Sequence, residues 1–170
     1  MIFIKGSNID LHLVDDVKKL KVVVPYINNQ ELVQYMQRGE TPILHQDIID
    51  YHDDIISSGG LYLFVCNKNS DILGTITLYK LSYTFRNAEI GIMLWEIGKG
   101  YGTEAIKLIT WHAFNKMNIH RLSAGVVDIN ISSNRAFQKS GFTQEGRQAD
   151  AYFCLGKYRD IILYSKINKK

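Results

Sequence analysis

No run of apolar residues in this chain approaches the ~20 that a helix needs to span a bilayer. The opening Met1-Ile-Phe-Ile-Lys-Gly-Ser7 lacks the basic region, apolar stretch and small-residue cleavage site of a secretory signal, so a cytoplasmic protein is expected. Cysteine is scarce. Cys66 and Cys154 stand alone, with no C-x-x-C and no histidine nearby in sequence, which argues against a zinc site and for buried, reduced thiols. The histidines are scattered without ligand spacing, and His112 falls on the apolar stripe of a helix, so no metal is expected. Neither sign of charge is in large excess: 20 Lys and Arg face 17 Asp and Glu, for a net charge of +3. Without clustering, that balance leaves no nucleic-acid footprint and no membrane-binding segment, and Lys166, Lys169 and Lys170 read as a solvated tail. A mildly positive field still favours an anionic cofactor. Internal repeats, low-complexity tracts and linkers are also missing, so residues 1–170 read as a single domain with a substantial core, 46% of the residues being hydrophobic.

What is present is a strand that breaks into alternating glycines and then enters an amphipathic helix, from Glu89 to Ile106. Glycines at 98, 100 and 102 remove every other side chain, so consecutive backbone N–H groups can turn toward one acceptor, and the helix from about Tyr101 adds the positive end of its dipole. A pyrophosphate suits that geometry. The spacing G-x-G-x-G lacks the last glycine of the dinucleotide fingerprint, and the P-loop pattern is absent. A tight structural connection is the plainer alternative.

Periodicity supplies the remaining elements. Ile9 to Val14 alternates as a strand, Asp15-Asp16 offers an N-cap to a helix carrying Val17, Leu20, Val23 and Val24, and Pro25 ends or bends that helix. Two weaker helical stretches fill residues 28–57, closed by Ser57-Ser-Gly-Gly60. Leu61 to Cys66 and Ile72 to Leu81 form a hairpin around Asn67 to Asp71, and a third strand spans about Arg86 to Leu94. After the glycine helix come a strand from Leu122 to Val127, a helix from Ser132 to Ser140 stopped by Gly141, and two strands between Phe142 and Ile167 around Leu155-Gly156. The order predicts an α/β fold with a mixed sheet.

That order, with Gly98-Lys-Gly-Tyr-Gly-Thr-Glu-Ala105 opening the central helix and Asn130 to Phe142 forming the next, resembles the GNAT acetyltransferases over nearly the whole chain. Ile4 to Leu11 and Gly156 to Asp160 are similar to the branch that holds ribosomal-protein N-terminal acetyltransferases and spermidine acetyltransferases. The resemblance implies an α+β fold: a mostly antiparallel sheet with splayed central parallel strands and flanking helices. It implies acetyl-coenzyme A as co-substrate, its pantetheine arm along the backbone of Ile92, Met93 and Leu94. The pyrophosphate would lie on the N–H groups of Gly98, Lys99, Gly100, Tyr101, Gly102 and Thr103. Asn130 and Ser133 match cofactor-contacting positions, and Lys99, Arg135 and Lys139 are candidate phosphate partners, or simply solvated cations. Two positions depart from the family pattern: Ile97 stands where a Gln or Arg usually precedes the glycines, and Phe137 where relatives carry the tyrosine that protonates the leaving thiolate.

An acceptor amine of pKa near 10 is only about a thousandth neutral at pH 7 and needs a base. Ala88-Glu89-Ile90 resembles the glutamate-bearing segment of relatives, which makes Glu89 the candidate; a solvated glutamate or an ion pair with Arg86 is its structural alternative. A bulge near Met93 or Leu94 would free a backbone N–H for the oxyanion. Tyr152, with Tyr158 behind it, is a candidate proton donor, and nothing around Cys154 suggests a nucleophile. Tyr26, Glu31, Tyr35, Glu40, Asp47, Asp50, Asp53 and Asp54 supply groups suited to a cationic amine, or merely solvated helix faces. A protein N-terminus, polyamine, amino sugar and aminoglycoside stay open as acceptors, and the chain is expected as a monomer or homo-oligomer. A catalytically weak acyl-CoA-binding regulatory module and a nucleotide-binding protein are the alternatives from other classes.

Overall fold

The computed structural model describes residues 1–36 and 40–169. Eight strands form one sheet: β1 (Ile2–Lys5), β2 (Ile9–Leu13), β3 (Leu61–Asn67), β4 (Ile72–Ser82), β5 (Asn87–Leu94), β6 (Arg121–Val127), β7 (Thr143–Cys154) and β8 (Lys157–Ile167). Their spatial order is β1-β2-β3-β4-β5-β6-β8-β7, and every neighbouring pair is antiparallel except β5 with β6. A 3₁₀ helix (Val17–Val23) leads into α1 (Val24–Ile27), α2 (Gln30–Val33) and α3 (His45–Ser57); α4 (Tyr101–Asn115) and α5 (Ile131–Lys139) follow later. No described helix is long and apolar enough to cross a membrane.

Period-two alternation divides the central strands between two cores. Leu63, Val65, Ile76, Leu78 and Ile90 pack with Ile106 and Ile109 of α4. Tyr62, Phe64 and Met93 point to the other face and pack with Leu20, Val23, Ile27, Ile48 and Ile55 from the segment 17–57. The helical roof and the glycine helix therefore cover opposite faces of the same strands.

The sequence reading departs from this fold in three places. β1 was not expected, because only Ile4 of that edge strand is buried and the alternation is faint. The helix expected after Asp15-Asp16 is 3₁₀, with Asp16 accepting from the Lys18 N–H, and Pro25 opens α1 instead of ending a helix, since its missing N–H is an orphan in a first turn anyway. Lys166 is no part of a solvated tail: its ammonium donates to the Ser140 carbonyl at 2.7 Å and lies over the Phe142 ring. Lys169 is exposed, and Lys170 lies outside the described residues.

Candidate functional site

β5 and β6 stay together for only three pairs, Asn87–Arg121, Ala88–Leu122 and Glu89–Ser123. Beyond them the strands part, while β6 stays paired with β8 through Val127. The Trp95 N–H donates to the Leu73 carbonyl of β4 at 3.0 Å, and N–H directions alternate along a strand. Met93 therefore also points toward β4, and the backbone groups of Ile92 and Leu94 point into the gap. Pairing of β4 with β5 is regular from Gly74–Leu94 to Tyr79–Glu89, and the register shift lies between Tyr79 and Ser82, not at Met93 or Leu94 as expected. Splaying of β6, not a bulge, frees the Leu94 N–H, and the Met93 N–H is committed to the sheet.

The gap continues into an open groove of about 480 Å³. Gly98 and Gly100 take φ of 86° and 79°, left-handed values that would cost an L-residue about 1–2 kcal/mol. Gly100 is the N-cap of α4 and has no side chain to cap it, so the first-turn N–H groups that no helix can satisfy internally stay available at the groove wall. Gly102 is already helical, and a Cβ there would meet Leu94 Cδ1 at an ordinary 3.5 Å; what it gives is an open first turn.

Asn130, Ser133, Arg135 and Lys139 line the same groove from α5. Asn130 Oδ1 accepts from the Ser133 N–H and the Ser132 hydroxyl, which holds the start of α5 in place. Arg135 and Lys139 are one helical turn apart on the groove side, and neither has an ion pair among the described residues. Lys99 is turned away: its ammonium holds Glu96 at 2.9 Å and does not border the groove.

Glu89 shares a face of β5 with Gly91 and Met93. Its partner is Lys80, 3.1 Å from each carboxylate oxygen, whereas Arg86 binds the carbonyl and side chain of Asn118. Lys80 has φ of 49° at the register shift, a conformation that brings its ammonium over the carboxylate. Tyr79, opposite Glu89 in the ladder, was missed by sequence reasoning, because only the register of β4 on β5 brings the two together. Burial first, and then the Glu89 carboxylate, push its phenol far above the usual range, so it stays protonated and able to donate.

Glu89 lies on β5 below the groove and does not border it, and the structure does not bring two other candidates there either. Tyr152 sits half-buried on β7 opposite Arg159 and does not border the groove; burial, then Cys154 and Glu40, raise its phenol. Phe137 is 2% exposed and stacks on Tyr164 at 5.9 Å, inside the core. Cys66 and Cys154 are buried and free, with burial pushing the Cys66 thiol up to about 11, so it stays protonated. No cluster of metal-ligating side chains occurs among the described residues.

A family model described as "Acetyltransferase (GNAT) domain" matches residues 12–143. A Bacillus subtilis (strain 168) protein named Probable N-acetyltransferase YjcK is 37% identical over 103 residues, covering 58% of this chain and 57% of that protein. The ribosomal-protein-serine acetyltransferase of Escherichia coli (strain K12) is 27% identical over 107 residues, covering 62% of this chain and 60% of its own length. The chain thus spans about three fifths of the length of these two curated relatives. A crystal structure of spermidine N-acetyltransferase from Vibrio cholerae in complex with CoA and spermine superposes with a TM-score of 0.86 at 21% identity, over 97% of this chain and 98% of that one. At that identity the likeness establishes the shared fold.

Proposed function

The chain belongs to the GNAT acetyltransferase family, and from that premise we propose that it is an N-acetyltransferase that moves an acetyl group from acetyl-coenzyme A to a primary amine by direct attack in a ternary complex. One observation carries the reading: the free backbone edge of Ile92 and Leu94 and the uncapped first turn of α4 line a single groove. A pantetheine arm can add to that edge as an extra strand would, and a pyrophosphate suits the N–H groups of Gly98 to Thr103. Arg135 and Lys139, without an ion pair among the described residues, are the cations for phosphate oxygens.

In the proposed reaction Glu89 accepts the proton of the ammonium, directly or through water, and Tyr79 holds the carboxylate in place. The amine nitrogen forms the C–N bond, the oxyanion rests on the Leu94 N–H, the C–S bond breaks with its electron pair on sulfur, and the remaining extra nitrogen proton passes to the thiolate or to water. A thiol of pKa about 8.5 leaves readily as the anion, so no side-chain acid is required. Tyr152 is the remaining candidate donor, and an unchanged rate in Tyr152→Phe would remove it. A cytoplasmic site of action belongs to the same proposal.

The test is calorimetric titration with acetyl-coenzyme A, followed by thiol release with a panel of amines. No binding at millimolar cofactor overturns the reading. Binding without turnover is the second reading, favoured by Phe137 at the family's tyrosine position, and would be shown by a titration that succeeds while every amine fails.

A further inference from the structure

The acetyl-transfer reading leaves the acceptor open, and a second cavity narrows it. About 80 Å³ of space lies on the sheet face away from α4, roofed by Val23, Ile27 and Ile48 and floored by Thr75 and Thr77. Its wall shares Met36, Ile92 and Met93 with the cofactor groove, so the two spaces adjoin where the free edge of β5 runs. The tyrosines that complete it, Tyr51 and Tyr62, meet edge to face at 6.1 Å.

No carboxylate borders this cavity among the described residues. The acids read from the sequence as amine partners are engaged or turned elsewhere. Asp47 accepts from the Leu44 N–H, Asp50 from Gln46, and Asp53 from His52, and these three and Asp54 are all exposed on α3 and border neither space. Glu31 and Glu96 border only the larger groove, Glu96 being held by Lys99, and Glu40 borders neither space. A polyamine brings two or more ammonium groups; one is lost to the reaction, and the others need anions that this wall lacks. Apolar carbon, by contrast, gains from leaving water here.

Resting on the acetyltransferase reading, we propose that the acceptor is a primary amine with one positive charge whose neighbouring carbon carries an apolar group, and that this group seats in the cavity between α3 and the β3–β5 face. The ammonium gives one proton to the base, its nitrogen forms the C–N bond, the C–S bond breaks to release the coenzyme A thiolate, and the second nitrogen proton passes to that thiolate or to water, leaving a neutral amide. A free amine and the first residue of a peptide offer the same chemistry, and the cavity has room for a side chain of a few carbons.

The experiment measures thiol release from acetyl-coenzyme A with leucinamide, phenethylamine, a short peptide beginning with leucine, the same peptide beginning with serine, and spermidine. An apolar acceptor should exceed spermidine in kcat/KM by about tenfold or more, a difference that a few methylenes can supply. The ratio of leucinamide to the leucine peptide identifies the source. Ile48→Ala, which enlarges the cavity, should move the preference toward phenethylamine while coenzyme A affinity stays within about twofold; Thr77→Ala is the second variant if the first fails to fold. Spermidine turned over as well as the apolar amines would overturn this assignment and leave acetyl transfer standing. No thiol release from any amine would overturn both.

Discussion

Phe137 occupies the position where the family usually carries a proton donor, yet its ring has no route to the groove. It lies between Tyr164, at 5.9 Å and nearly parallel, and Phe142, at 5.3 Å and edge-on, and the Tyr164 hydroxyl is already engaged by Asn134 and Gln138. A hydroxyl added there enters a ring cluster without a free acceptor. Phe137→Tyr should therefore leave turnover unchanged and destabilise the fold by about 1–3 kcal/mol, read as a lower Tm. A tenfold gain in turnover would show that this ring reaches the thiolate in the working enzyme. Glu89 calls for a different contrast. Glu89→Gln should lower turnover most near neutral pH and less at high pH, where more of the amine is already deprotonated, with cofactor affinity nearly constant. A pH–rate profile of unaltered shape would move the base elsewhere.

At the scale of elements, the start of α4 is fixed by the turn between β1 and β2. Glu104, in the first turn of the helix, accepts from the Ser7 and Asn8 N–H groups at 2.6 and 2.9 Å and from the Asn8 side chain at 3.0 Å. Burial alone would raise this carboxyl, but those hydrogen bonds outweigh it and hold the group below its ordinary 4.5. A lowered folded-state value means that the contribution is complete above the unfolded value and disappears as pH falls through the folded one. Glu104→Ala should cost about 1–2 kcal/mol at pH 7, discounted for the exposed turn, and thermal melts of variant and parent should converge as the pH is taken below 4.5. A gap that persists in acid would mean that the loss is packing rather than charge. The strands and α4 were legible because their apolar positions alternate or recur over many residues. The roof from 17 to 57 was less so: α1 and α2 are four residues each, too short for periodicity to separate helix from loop. The acids of α3 looked functional because composition does not tell which face of a helix meets the sheet.

At the scale of the molecule, one sheet borders two adjoining spaces. The strands β3 to β5 present α4 and the groove on one side and the apolar cavity on the other, and the parting of β5 from β6 joins the two spaces near Ile92 and Met93. The glycine spacing marked the left-handed turn that opens α4, whereas the pairing of Glu89 with Lys80 depends on a register shift that no local pattern encodes. Because the groove is assembled from β5, α4 and α5 together, it exists only in the folded chain, and a ligand that fills it must stabilise the whole. At a hundredfold excess over Kd the gain is about 2.7 kcal/mol. For a chain of this size each kcal/mol is worth about 2–4 °C, so acetyl-coenzyme A should raise Tm by roughly 5–11 °C at that concentration. The rise should shrink in high salt, since Arg135 and Lys139 contribute through exposed charge. Gly100→Val should keep the fold but lose most of the rise, because its strained φ of 79° and added bulk displace the N–H groups of the cradle. The measurement is thermal unfolding with acetyl-coenzyme A, ATP and NAD in parallel. A shift with ATP or NAD equal to that with acetyl-coenzyme A would assign the glycine cradle to pyrophosphates in general, and an unaltered rise in Gly100→Val would make the loop only a connection between strand and helix.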